Sequence, residues 1–390
     1  MCTESCKFVE VLKKIRFILL SLITAVVASC GGGGTSVENY SEALYSPEYA
    51  IGFEILGAKG GKSSILVTKT PWQGSDSTAA SQIFVQRGDE PVPTGFSGQV
   101  LRGDARRVVC MSSSYIAMLD AMGEVSRVVG VSGMGFVSNA IVLAGRDSIG
   151  DVGYDGNIDY EKLIALSPDI VLLYGVTGAN MMEGKLRELG IPFAYIGEYL
   201  EESPLGKAEW LVAMAELIGK RAEGMEVFKK IPERYNELKR QAQAMSTKPK
   251  VMLNTPYGDS WVMPSTGSYI AQLISDAGGQ YIYTKNTSTQ SMPIDLEEAY
   301  KLASESDIWM NVGQLTAMAE LKRLYPKFAD TKPVVTNQVW NCNLRATQGG
   351  GNDFWESGVV RPDCILQDLI MMFHPEAAGS ADYTYYKKLE

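Results

Sequence analysis

One phrase occurs twice in this chain. NIDYEKLIALSPDIVLLY begins at Asn157, and PIDLEEAYKLASESDIWMNV begins at Pro293. Each runs Ile-Asp, an apolar residue, a glutamate, a helical pattern and then an aspartate leading into an apolar run. Glu161 and Glu297 thus fill the same slot, 136 positions apart. A short apolar run bounded by turn signals reads as a buried strand. Each phrase is therefore a helix feeding a strand, and its recurrence predicts two similar α/β halves.

The intervening sequence fits that division. From Arg107, RVVC, RVVGVS, DIVLLY and PFAYIG read as strands, alternating with the helical patterns YIAMLDAMG, DYEKLIALSP and MMEGKLRELG. Alternation at this spacing implies a parallel sheet with helices on its faces. From Ser203 to about Met245 the strand signal stops. Leu211, Met214, Ala215 and Ile218 lie at helical spacing, and Val227, Ile231, Tyr235 and Leu238 continue a similar stripe. Pro232 falls inside that stripe and predicts a kink or break. The βα rhythm then resumes, with VMLN, DIWMNV and PVVT as strands, SYIAQLISDAGG and LEEAYKLASES as helices, and CILQDLIMMF as the closing helix. The expected fold is α/β: two Rossmann-like lobes with parallel-type sheets, residues 106–202 and 248–390, joined by a helical connector over 203–247. A polar, turn-rich stretch with short strand runs predicts a β-rich N-terminal extension over 38–105. A continuous doubly wound sheet is the rival arrangement.

The first residues read as an export leader. Lys13, Lys14 and Arg16 precede an apolar run from Phe17 to Val27, too short to cross a bilayer comfortably. The run ends in VASC, which resembles a lipobox. The expectation is a leader over 1–29, acylation of Cys30 and a Gly-rich tether over 30–37, giving a bacterial lipoprotein anchored to a membrane and facing the periplasm. An ordinary signal peptide cut nearby is the alternative. Cys110, Cys342 and Cys364 would remain, which permits one disulfide at most, Cys342 with Cys364, or none.

The inventory of reactive residues is thin. Among 390 residues His374 is the only histidine, so a site of several imidazoles is impossible. No G-x-S-x-G elbow, Walker A or G-x-G-x-x-G motif occurs. A net charge of −9 without a basic block argues against nucleic acid. These patterns predict no enzyme, no cofactor and no metal held by protein ligands alone. What does stand out is aromatic and polar residues after strands, where α/β lobes present their functional loops. Such segments are MSSSY, GDVGYDGN, TPYGDSWVMP and WNCNLRATQGGGNDFWESG. Rings of this kind suit a flat or bulky organic ligand, though any one of them could equally be core.

From about Arg106 to His374 the chain resembles the substrate-binding proteins of bacterial ABC importers for vitamin B12, ferric siderophores and haem. YEKLIALSPDIVLLY and GGNDFWESGVVRPD carry that resemblance. It implies a metal chelate gripped in a cleft between two lobes and handed to a dimeric permease. It further implies that Glu161 and Glu297 dock to permease arginines, one per lobe. The alternative is that both glutamates only complement helix dipoles behind the caps Asp159 and Asp295. The resemblance carries Tyr154, Trp261 and Trp355 into the ligand cleft. Loop position adds Tyr115 and Arg345, and Tyr257 joins Tyr154 and Tyr115 as candidate axial groups for a haem. Iron chelate (siderophore or haem) and corrinoid remain open. So do a sensor or surface-binding lipoprotein on the same fold and a chelatase-like metalloenzyme.

Overall fold

A computed structural model describes residues 35–75, 80–154, 156–176, 178–377 and 381–390. Cys30 and the leader lie outside the described residues. The extension forms a five-stranded sheet in sequential order: β1 Glu42–Tyr45, β2 Phe53–Gly57, β3 Ser64–Thr68, β4 Ser81–Gln86 and β5 Gln99–Arg102. Pairing is antiparallel as far as β4, and β5 runs parallel to β4.

The first lobe follows with β6 Val108–Cys110, α1 Ser113–Ala121, β7 Val128–Val131, α2 Ala140–Ala144 and β8 Gly150–Asp151. A small hairpin, β9 Gly153–Tyr154 with β10 Asn157–Ile158, leads into α3 Tyr160–Ala165. The lobe ends with β11 Ile170–Leu173, α4 Met182–Leu189 and β12 Phe193–Tyr195. Its sheet has the order β12-β11-β6-β7-β8, all parallel. Helices cover both faces, which explains why Ile170–Leu173 is an unbroken buried apolar run rather than an alternating one.

Residues 203–247 hold two helices rather than one. In α5, Pro204–Leu217, every residue is buried. Its start is set by Pro204 at the first position and by Ser203, whose hydroxyl accepts the Gly206 N–H at 3.2 Å. The chain turns at Gly219, at φ +73°, where a Cβ would lie 2.3 Å from the Asp104 carboxyl carbon. α6, Arg221–Gln243, then runs unbroken through Pro232. The expected break at the proline is absent, and the glycine supplies it instead. The helices approach closely where Gly224 faces Ala215: a Cβ there would lie 2.4 Å from that of the alanine.

The second lobe contains β13 Lys250–Leu253, β14 Pro256–Tyr257, β15 Ser260–Met263, α7 Tyr269–Asp276, β16 Gln280–Tyr281, β17 Met292–Asp295, α8 Leu296–Glu305 and β18 Ile308–Met310. It continues with α9 Met318–Leu324, α10 Lys332–Val335, β19 Val339–Asn341, α11 Ser357–Val360, α12 Pro362–Phe373 and β20 Lys387–Lys388. Its main sheet, β16-β13-β18-β19-β20, is parallel except for β20, which closes it antiparallel to β19. A side sheet, β14-β15-β17, sits beside it. PVVT, read above as a strand, is instead a single helical turn, since Pro333 in the first turn of Lys332–Val335 suits a helix start. The strand follows at Val339. Cys110, Cys342 and Cys364 are free thiols.

One apolar cluster runs from Phe53 and Val85 in the extension through α5 to both sheets. The extension is also pinned by buried carboxylates. Glu209 accepts from the Tyr45 hydroxyl (2.6 Å) and from the N–H groups of Glu48 (2.8 Å), Tyr49 (2.7 Å) and Ala50 (2.7 Å). Glu201 accepts from Gly52 N–H (2.9 Å) and Trp210 Nε1 (3.0 Å). Glu209→Ala removes the shared acceptor of four donors, of which Ala50 N–H is fully buried, so urea denaturation is expected to report a loss of about 3 kcal/mol. A loss below about 1 kcal/mol would show that the extension is not held in this way.

Candidate functional site

The carboxyl ends of β6, β7 and β11 open onto a hollow of about 310 Å³, with Met111, Ser112, Phe136, Tyr154 and Tyr174 among its walls. Parallel sheets present ligand sites at this edge. A second hollow of about 280 Å³ shares Met111 and Tyr174 and adds Met181 and Met182. A third recess, about 700 Å³ and wide open, shares Phe136 and Tyr154 and extends to Asp151 and Lys162. The joined surface is aromatic, sulfur-bearing and hydroxylic, and Lys162 is the one cation among its described lining residues.

Tyr154, 53% exposed, lines the first hollow and the third recess. The β9–β10 hairpin holds it, and Gly153 at φ +80° is required there because a Cβ would sit 2.2 Å from Asn157 O. Its ring meets Phe136 edge-on, 5.4 Å between centroids. Asp151 locks the two loops together by accepting N–H bonds from Gly133 (3.0 Å), Met134 (2.9 Å) and Gly153 (3.0 Å). Burial opposes ionisation of this carboxyl, but the three donors outweigh it and hold its pKa below the usual carboxylate range.

Two expected site residues are core. Tyr115 is fully buried, and its hydroxyl donates to Leu173 O (3.1 Å) and Ile196 O (2.9 Å), tying the ends of β11 and β12 together. Trp261 is also fully buried. Its Nε1 donates to Leu253 O at 2.8 Å, and its ring lies 5.5 Å from Trp309 and 5.1 Å from Phe328. Alternation along β15 sends Trp261 inward and Val262 outward. Tyr257, 82% exposed, stands on the β14–β15 turn. Trp355 is 55% exposed and packs edge-on against buried Phe354, with 4.6 Å between centroids. Arg345 pairs with Asp353 at 2.9 Å and so braces its own loop. Phe136, Met181 and Tyr174 line the hollows although no sequence pattern marked them. The glycine-rich SGMGF following strand RVVGV was the available signal for Phe136.

The loop carrying Arg345 and Trp355 folds into a small hairpin, with Ala346 bridged to Asn352 and Thr347 N–H donating to Gly351 O at 2.7 Å. Its tip reaches the first lobe. Gly351 N–H donates to Gly135 O at 3.0 Å, and Cβ atoms on Gly349 and Gly351 would lie 2.8 Å from Gly135 O and 2.7 Å from Val137 O. Glu356, buried, accepts the Ser138 N–H at 2.8 Å. The two lobes are therefore clasped backbone to backbone beside the Phe136 wall.

The two repeated glutamates have matching settings. Asp159 caps α3 by accepting Lys162 N–H at 2.9 Å, and Asp295 caps α8 by accepting Glu298 N–H at 2.8 Å. Glu161 and Glu297 are each the second helical residue and each exposed. Neither carboxylate has a hydrogen bond or ion pair among the described residues.

A model described as periplasmic binding protein matches residues 108–343. The chain belongs to the periplasmic binding protein family. This binding protein is similar to an uncharacterized lipoprotein of Methanocaldococcus jannaschii, 27% identical over an alignment of 317 residues, with coverage of 77% of this chain and 74% of that one. Among solved structures it is similar to a periplasmic heme binding protein from Pseudomonas aeruginosa, with 17% identity, TM-score 0.57, and coverage of 73% of this chain and 98% of that one. It is also similar to a periplasmic vitamin B12 binding protein of Vibrio cholerae, with 15% identity, TM-score 0.51, and coverage of 71% and 99%. At these identities the likeness is one of fold.

The clasp of this binding protein titrates. Burial pushes the Glu356 carboxyl from 4.5 up to about 7, against the Ser138 N–H bond that favours its charged form. The folded protein thus holds a proton there that the unfolded chain has lost. Stability from this group is complete below pH 4.5 and is lost as the pH rises through about 7. Glu356→Gln keeps the acceptor and removes the charge. Its melting temperature is expected to exceed that of the parent at pH 8 but not at pH 4, by the equivalent of at most about 3 kcal/mol. Parallel pH profiles for the two proteins would exclude the assignment.

Proposed function

We propose that this protein is the lipid-anchored binding component of an ATP-driven importer. It captures a metal chelate (an iron siderophore, a haem or a corrinoid) between its lobes and delivers it to a membrane permease. The observation that carries this reading is the joined hollow at the carboxyl edge of the first sheet, walled by Met111, Phe136, Tyr154 and Tyr174, with the second lobe's glycine tip touching the adjoining Gly135 and Val137. Aromatic and thioether surface with one cation suits a bulky chelate of low charge and disfavours a polyanionic one. The fold shared with proteins that bind heme and vitamin B12 supports the same cargo class.

Tyr154 and Phe136 supply the platform in the first lobe. Tyr257 and Trp355 are the two most exposed rings among the described residues of the second lobe. Binding asks for no chemistry from the protein, in keeping with a family of binding proteins. Cys30 would carry the lipid that keeps the protein at the membrane facing the periplasm, and Cys30→Ser is expected to release it into the soluble fraction.

Titration of the full chain with cyanocobalamin, haemin and ferric siderophores, followed by tryptophan fluorescence, tests capture. One of these is expected to quench with a micromolar or tighter dissociation constant, and Tyr154→Ala to weaken that binding about tenfold. No binding by any of them would sink the reading. The paired, unpartnered carboxylates of Glu161 and Glu297 suit a two-fold partner presenting one basic pocket to each lobe. Reversing both to Lys is expected to abolish uptake in cells with ligand affinity unchanged; surviving uptake would remove the docking role.

A further inference from the structure

The floor of the first hollow holds a chain of hydrogen bonds whose direction is fixed from below. Ser112 lines the hollow, and its Oγ lies 2.8 Å from that of Ser114, which is buried. Ser114 in turn donates to Glu198 Oε1 at 2.6 Å. Glu198 lies on a 3₁₀ turn, Glu198–Leu200, behind β12 and is buried. Lys207, buried on α5, donates from Nζ to Glu198 O at 3.0 Å and lies 5.2 Å from the Tyr269 ring centre in the second lobe. A buried carboxylate beside a buried ammonium keeps the pair without net charge.

Burial raises the Glu198 pKa and the nearby Lys207 charge opposes that rise; with the carboxylate ionised, proton counting gives the polarity. A carboxylate only accepts, and each serine owns one hydroxyl proton. The Ser114 proton goes to Glu198, so the contact between the serines has Ser112 as donor. The Ser112 proton is thereby spent. Ser112 is also the N-cap residue of α1, yet its side chain takes no bond from the first turn. Its lone pairs are left for the hollow, whose lining also holds Ser113 and Ser132 beside rings, Met111 and aliphatic groups.

We propose that Ser112 Oγ is an obligate acceptor that selects chelates bearing a peripheral N–H or O–H donor, such as an amide arm, over those bearing only carboxylate or ester oxygens. The proposal rests on chelate capture at this hollow and names the chemistry of the cargo's edge. A donor brought there makes a bond the empty site lacks. An oxygen with only lone pairs meets those of Ser112 and loses its water without replacement. Ser112 thus acts on specificity, while Ser114 and Glu198 are positioning residues that set its orientation.

Two matched pairs of probes test this with the full chain: cyanocobalamin against a corrinoid whose amide arms are methyl esters, and haemin diamide against haemin dimethyl ester. Within a pair that binds, the N–H-bearing member is expected to be favoured about tenfold or more. Ser112→Ala is expected to bring that ratio to within about twofold of unity. Ser114→Ala is expected to lower the ratio too, because it frees the Ser112 proton to rotate into the hollow. A ratio near unity in the parent protein, or one unchanged in Ser112→Ala, overturns the proposal. Neutron diffraction of the unliganded protein decides the polarity without any ligand. A deuteron of Ser112 on the line to Ser114 supports the proposal, and one directed into the hollow overturns it. Should neither pair bind, capture of such a chelate fails as a reading, while the neutron result still judges the hydroxyl chain by itself.

Discussion

The structure depends on a helix that never meets water. α5 is buried along its whole length, yet it carries Lys207, Glu209 and Glu216. Charges in such a place survive only when their hydrogen bonds are satisfied. Each one therefore dictates what must surround it. Glu209 requires the Tyr45–Ala50 segment of the extension to curl around it. Glu216 requires Arg87 from the extension at 2.5 Å and Arg221 from the next helix at 2.7 Å. Lys207 faces the first lobe through Glu198 and the second through Tyr269. One apolar rod with polar studs thus fixes the extension, the two lobes and the following helix at once.

The second junction between lobes has a different character. Side chains are nearly absent from the tip at Gly349–Gly351, and contact is main chain against main chain at Gly135 and Val137. Glycine is needed because any Cβ would collide. Such a surface buries little apolar area, and Glu356 beneath it is a group that burial makes reluctant to ionise. The helix side is fastened by a dry core, and the loop side by a few polar bonds.

Much of the architecture was legible in the sequence. Buried strands such as Ile170–Leu173 reveal themselves as unbroken apolar runs, and Gly123 and Gly190 mark helix ends by the left-handed turns they adopt. The duplicated Asp-apolar-Glu phrase gave both caps and both exposed glutamates. What it hid was direction and distance. Loop position put Tyr115 in the cleft and the resemblance put Trp261 there, but the first helical turn aims one inward and strand alternation the other. Pro232 costs one N–H bond, yet the packed stripe of Phe228, Ile231, Tyr235 and Leu238 keeps its helix whole. Phe136, Met181 and the bond from Ser138 to Glu356 belong to parts of the chain brought together only by the fold.

The glycine tip bears on how long a guest stays. With both the rod and the loop joining the halves, parting them means peeling main-chain contacts rather than swinging a free door. For a solute whose release requires the lobes to part, departure is timed by that peeling as well as by its own contacts, so residence and affinity become separately adjustable. A binding protein that must hold a solute and later release it would benefit from a fastener whose strength follows the local acidity.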